Sequence, residues 1–162
     1  MVESQISNLK VASSSLVSRS ILISWALSDF KKVAAKYGYE VVQVVPGDDY
    51  CSANGLEEYE NKSYICHPKI YLGIYEDDEL KVASFFHELG HALMPDDFAS
   101  SVEYYTPDIE KEAWRVGFEE AKKEYGVDFS QKVHDWVEKQ LQTYVDGWER
   151  EHKIIDENRK RQ

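Results

Sequence analysis

Residues 77–95 constrain this chain more than any other stretch. Asp77-Asp78-Glu79 opens it with acidic side chains, which suit the positive end of a helix macrodipole, and Pro95 closes it. The spacing predicts a helix over 77–94. Within it stands His87-Glu88-Leu89-Gly90-His91. Four residues of helix turn slightly more than once and rise about 6 Å, so His87 and His91 project from one face and can share a metal ion. Glu88 lies roughly 100° further round, where its carboxylate reaches a metal-held water without being a ligand.

The remaining composition describes a folded chain. With 162 residues, 43% hydrophobic and 13% aromatic, it is long enough for a real core, and a single domain over 1–162 is expected, with 1–14 a flexible leader. The net charge of −11 disfavours nucleic acid and anionic membranes as partners, since phosphate contacts need Lys and Arg. Cys51 and Cys66 do not make a disulfide framework, which points to reduced thiols in a cytoplasm. The apolar run from Leu16 to Leu27 is broken by Arg19 and too short to span a bilayer, so it is read as neither signal nor anchor.

Along the chain, Val17, Ile21, Trp25, Phe30, Val33, Ala34 and Tyr37 recur at helical steps, predicting one amphipathic helix of about twenty residues that ends at Gly38 and covers the core. Tyr39 to Val45 reads as a strand closed by Pro46-Gly47. Tyr50 to Ser63 is polar, either a loop or a hairpin. Tyr64-Ile65-Cys66 and Lys69 to Tyr75 are strand material broken near Pro68, the second piece feeding the histidine helix. A strand edge beside a metal can pair with an extended peptide. Thr106 as N-cap, Pro107 and the acidic Asp108 and Glu110 start another helix, ending at Gly126. A long amphipathic helix follows from about Ser130, and the basic Arg159-Lys160-Arg161 suits its negative end.

Catalytic zinc usually takes three protein ligands and leaves one position for water, so two histidines need one more donor. Glu112 stands twenty-one residues after His91, enough chain for a helix to end and the next to return. Glu110 is its rival. Residues two apart diverge by roughly 200° on a helix, so both cannot face one metal. Either carboxylate taken alone is explained by the acidic first turn of its helix.

His87-Glu88-Leu89-Gly90-His91-Ala92-Leu93 followed by Glu110-Lys111-Glu112-Ala113 resembles the gluzincin metallopeptidases, in particular ImmA/IrrE-type metallo-endopeptidases of bacteria, phages and mobile elements. The match covers about residues 70–120. It implies an α+β class: a compact zincin-like domain, mostly helical, with a small sheet preceding the metal-site helix. It also implies one Zn2+ per chain on His87, His91 and Glu112, with Glu88 the general acid/base for hydrolysis of a peptide bond in an intracellular protein, such as a transcriptional regulator. The preference for Glu112 over Glu110 rests on this resemblance as well as on spacing. The family usually has Asn or Asp where Trp114 stands, and some gluzincins have an aspartate where Val116 stands. Asp108 is the substitute considered for orienting a ligand histidine. Tyr104, Tyr105, His134 and Tyr144 are available as oxyanion donors, and spacing does not choose among them.

The alternative function is a zincin-like protein that keeps the metal site but acts by occupying a partner, as a regulator or mobile-element inhibitor would. A structural zinc is disfavoured, because no Cys or His stands at a spacing to fill the fourth position. His67 beside Cys66 reads as a strand end, and His134 and His152 as surface or groove residues. Trp136, Tyr144 and Trp148 read as core. Gly90 costs about 1 kcal/mol against Ala within a helix, and close packing on a neighbour accounts for it.

Overall fold

A computed structural model describes residues 24–45, 62–94 and 106–160. In chain order these form helix α1 (Leu27–Lys36), strands β1 (Glu40–Gln43), β2 (Tyr64–Cys66) and β3 (Lys69–Leu72), and helices α2 (Asp78–Leu93), α3 (Pro107–Tyr125) and α4 (Gln131–Lys160). The class is α+β, mostly helical with a small sheet ahead of α2. The expected leader over 1–14, the Pro46-Gly47 turn and nearly all of the Tyr50 to Ser63 segment lie outside the described residues.

Helix α1 begins later than the predicted helix allows, at Leu27, while Val17 and Ile21 of that prediction lie outside the described residues. Residues 24–26 are not helical. The Asp29 carboxylate accepts the Ala26 N–H at 3.0 Å, fixing a helix start at that point, and the Ser24 hydroxyl donates across to Asp78 at 3.0 Å. Trp25 therefore enters the core from extended chain, its ring tilted or edge-on to Phe30, Phe86 and Tyr125. Phe30, Val33 and Ala34 make the buried face of α1, as their spacing predicts.

The sheet has the order β1-β3-β2, with β1 parallel to β3 (Val41 opposite Ile70) and β2 antiparallel to it (Ile65 opposite Ile70). Ile70 and Leu72 are fully buried while Lys69 and Tyr71 are not, the two-residue period of a strand with one face on the core. Because β3 is central, the strand that feeds the histidine helix has no open edge. An extended peptide beside that helix would have to pair elsewhere, and β2 is the outer strand on that side among the described residues.

Helix α2 starts where its sequence says. The Asp77 carboxylate accepts the N–H groups of Glu79 and Leu80 at 3.0 and 3.1 Å, satisfying donors that the first turn leaves orphaned. Helix α3 ends at Gly126, whose φ of 67° is the left-handed conformation that glycine adopts without penalty. Between these helices the backbones touch. A Cβ built on Gly90 of α2 would overlap the Ala113 carbonyl oxygen of α3, and one built on Gly117 would overlap the Phe86 carbonyl oxygen. The close packing expected of Gly90 is thus present, with Gly117 as its counterpart.

Helix α4 is tied to α2 through a side chain. Glu79 accepts the Ser130 N–H at 2.8 Å and the Ser130 hydroxyl at 2.7 Å, which caps the start of α4. Val133 and Val137 of α4 are buried, and Trp136 and Leu141 pack against the same core. Further along, Tyr144, Ile154 and Ile155 are exposed. Of the aromatic stripe predicted as core, only Trp136 packs on the core formed by the described residues, because α4 runs on past it. No helix among the described residues is long and apolar enough to cross a membrane.

Candidate metal centre

One turn of α2 supplies His87 and His91, and the first turn of α3 supplies the carboxylate that meets them. It is Glu110. His87 Nε2 lies 3.1 Å from Glu110 Oε2 and 3.3 Å from His91 Nε2, while His91 Nε2 lies 3.6 Å from Glu110 Oε1. All three side chains are buried or nearly so, with Glu110 only 2% exposed. Among the described residues this is the one group of three or more His, Cys, Asp or Glu side chains whose ligand atoms converge.

The preference for Glu112 is therefore corrected. The inner face of α3 is set by Ala113, Gly117 and Ala121, spaced four apart and buried against its neighbours. Glu110 precedes Ala113 by three residues and shares that face. Glu112 precedes it by one and is turned roughly 100° away. There Arg115 holds it, donating from Nε at 2.8 Å and from Nη2 at 2.5 Å in a two-pronged surface pair. The same guanidinium also reaches Glu119 at 2.6 Å. The run of small residues was the signal for this face, and it was present in the sequence.

The donor set fits a metal ion. Bonds of about 2.0–2.1 Å to a tetrahedral zinc place ligand atoms about 3.3 Å from one another; the two imidazole nitrogens are 3.3 Å apart, and the Glu110 carboxylate meets His87 through Oε2 at 3.1 Å and His91 through Oε1 at 3.6 Å, so that one ligand atom from each residue lies within 4.8 Å of the others. Glu110 Oε2 also makes no directed hydrogen bond despite lying 3.1 Å from a ring nitrogen. Burial pushes the Glu110 carboxyl up, but the two imidazoles outweigh it and hold the group at about 2.

Glu88 sits beside this trio without joining it. Its Oε1 is 4.0 Å from His87 Nε2, and the side chain is buried. Burial raises its proton affinity, His87 and His91 oppose that, the Glu110 charge adds to it, and a backbone hydrogen bond from Ile65 of β2 opposes it. A carboxylate whose proton affinity is raised in this way is suited to taking and returning a proton.

The surroundings differ from those expected. Asp108 is exposed, and His87 Nδ1 has no hydrogen-bond partner among the described residues, so Asp108 does not orient this ring. Trp114 lies against it, the His87 and indole centroids 4.1 Å apart and the planes 21° from parallel. Of the available oxyanion donors, the two that are described do not stand at this site. Tyr104 and Tyr105 lie outside the described residues, His134 is exposed with its ring edge-on to Phe118, and Tyr144 is exposed on the distal half of α4. Tyr75 was not singled out by the sequence. Its hydroxyl donates to Ser84 Oγ at 2.5 Å, one turn before Glu88 on α2. Burial pushes the phenol up to about 12; the Ser63 and Ser84 hydrogen bonds oppose this and the Glu88 charge adds to it. His67 stands exposed in the β2–β3 turn against Tyr39, at a strand end as read. Compared with protein-family models, curated proteins and solved structures, the chain matches none.

Proposed function

We propose that this chain is a zinc-dependent endopeptidase that hydrolyses a peptide bond in a cytoplasmic protein substrate. The observation that carries the reading is the convergence of His87 Nε2, His91 Nε2 and the Glu110 carboxylate at 3.1–3.6 Å beside a buried Glu88. These residues would hold the metal through two neutral imidazoles and one carboxylate, leaving a fourth position for water. A bound zinc ion supplies Lewis acidity, lowering the pKa of water toward about 7 and polarising the scissile carbonyl. Glu88 takes the proton of the attacking water on its carboxylate and returns it to the leaving amine nitrogen. The ligand set follows the resemblance of the motif to gluzincins with Glu110 in place of Glu112, and a transcriptional regulator remains the substrate class that this resemblance implies.

The test is proteolysis of an unfolded protein by the zinc-loaded chain, compared with its Glu88→Gln variant. Hydrolysis that falls by two or more orders of magnitude in Glu88→Gln, with zinc content unchanged, supports the reading. Equal rates in the two proteins sink it.

Exposed Tyr144, Ile154 and Ile155 on distal α4 favour a second reading, a metal-bearing protein that acts by occupying a partner. Under that reading Glu88→Gln keeps its full biological effect.

A further inference from the structure

We propose that Trp114 is a positioning residue for His87, holding the imidazole by its indole face where a metal-ligand histidine ordinarily relies on a hydrogen bond. This rests on the reading of His87 as a metal ligand. Histidine ligands almost always donate their second ring N–H to a carboxylate, a carbonyl or water, which fixes the ring plane and raises its basicity. His87 Nδ1 is buried and finds no such protein acceptor among the described residues. What it has is a plane. The indole of Trp114 covers one face of the imidazole at a centroid distance of 4.1 Å with the planes 21° apart. Rotation of His87 about its terminal torsion would drive the ring edge into the indole, so the stack restricts the direction in which Nε2 points.

The indole is itself held. Phe118 meets it edge-on at 5.4 Å and Trp136 of α4 at 5.6 Å, with interplanar angles of 80° and 89°. Trp114 also follows Ala113, the residue whose carbonyl lies against Gly90, so its backbone is anchored where α2 and α3 touch. Three helices thereby set the attitude of one ligand ring. Among the described residues no anion stands on His87 Nδ1, and a ring without one is a weaker donor than a histidine backed by a carboxylate.

The experiment uses the full chain with Trp114→Phe and Trp114→Met. Zinc affinity is measured by competition with a chromophoric chelator, coordination by the visible absorption of Co2+ complexes, and the stack by the NMR shifts of the His87 ring protons in metal-free protein. In the wild type those protons are shifted upfield by the indole. Trp114→Phe, which keeps an aromatic face, is expected within about threefold of wild-type affinity with a similar Co2+ spectrum. Trp114→Met is expected to lose the upfield shift, to bind zinc about 10–100-fold more weakly, the range for losing a ligand's supporting partner, and to give an altered Co2+ spectrum at unchanged far-UV circular dichroism. If Trp114→Met does not fold, the Phe variant and the wild-type ring shifts decide, and wild-type protons without an upfield shift overturn the proposal. A folded Trp114→Met with wild-type affinity and spectrum overturns it while leaving the metal site standing. Absence of zinc and Co2+ binding by the wild type overturns the metal site itself, and the positioning role with it.

Discussion

Gly90 of α2 faces the carbonyl oxygen of Ala113 on α3 with no room for a methyl group between them. The obstacle is backbone, which cannot rotate aside. Alanine at this position would gain about 1 kcal/mol in helix propensity, yet it must force the two helices apart. Overpacking of this kind typically costs ~1–3 kcal/mol and more where nothing can yield. Gly90→Ala is therefore expected to be less stable than wild type by about 2 kcal/mol in urea denaturation, and to bind zinc less well because Glu110 moves with α3. Stability equal to wild type would show that the helices are not in contact here.

Glu110 and Glu112 differ in a way that elemental analysis reads directly. Glu110→Ala is expected to lose the single zinc per chain. Glu112→Ala is expected to retain it, since only a solvent-screened surface pair with Arg115 is lost. The reverse pattern would restore Glu112 as the ligand and require α3 to be rotated about its axis.

Tyr75 gives the protein an alkaline sensitivity with a defined sign. Its folded-state pKa is pushed up to about 12, against about 10 in an unfolded chain. A group raised in this way contributes its stability in full below pH 10 and loses it as the pH rises to 12, because the unfolded chain releases the proton first. The size is about 2–3 kcal/mol. Tyr75→Phe is expected to lose about 1 kcal/mol at pH 8 with the hydrogen bond to Ser84. It should also show a shallower fall between pH 10 and 12. Urea midpoints measured across that range for both proteins check it, and parallel curves would count against a buried phenol.

What could be read from the chain alone was what neighbouring residues decide. The acidic start at Asp77-Asp78-Glu79, Thr106-Pro107 as a helix start and Gly126 as a stop are local, and each stands within a residue of where the sequence places it, Asp77 serving as the cap rather than in the first turn. So are His87 and His91 on one face. The choice between Glu110 and Glu112 was not local, because it depends on which side of α3 meets α2. That side is marked by Ala113, Gly117 and Ala121, whose meaning is clear only with Gly90 opposite them. Trp25 misled for a similar reason. Its place in the helical period was right, but it reaches the core from extended chain, as the Asp29 cap dictates. Tyr144 and Trp148 carry the same period as Trp136, and no periodicity says how far the opposing surface extends.

That last point has a rotational consequence. Trp136 stands edge-on to Trp114, which marks the bearing of α4 that faces the core at that level. A helix of 3.6 residues per turn returns to the same bearing every eighteen residues, five turns and about 27 Å further on. The residue eighteen positions beyond Trp136 is Ile154, which is 53% exposed. The ring contact behind the His87 stack thus also indexes the distal part of α4: the bearing that packs on the core at Trp136 is the one that Ile154 presents uncovered.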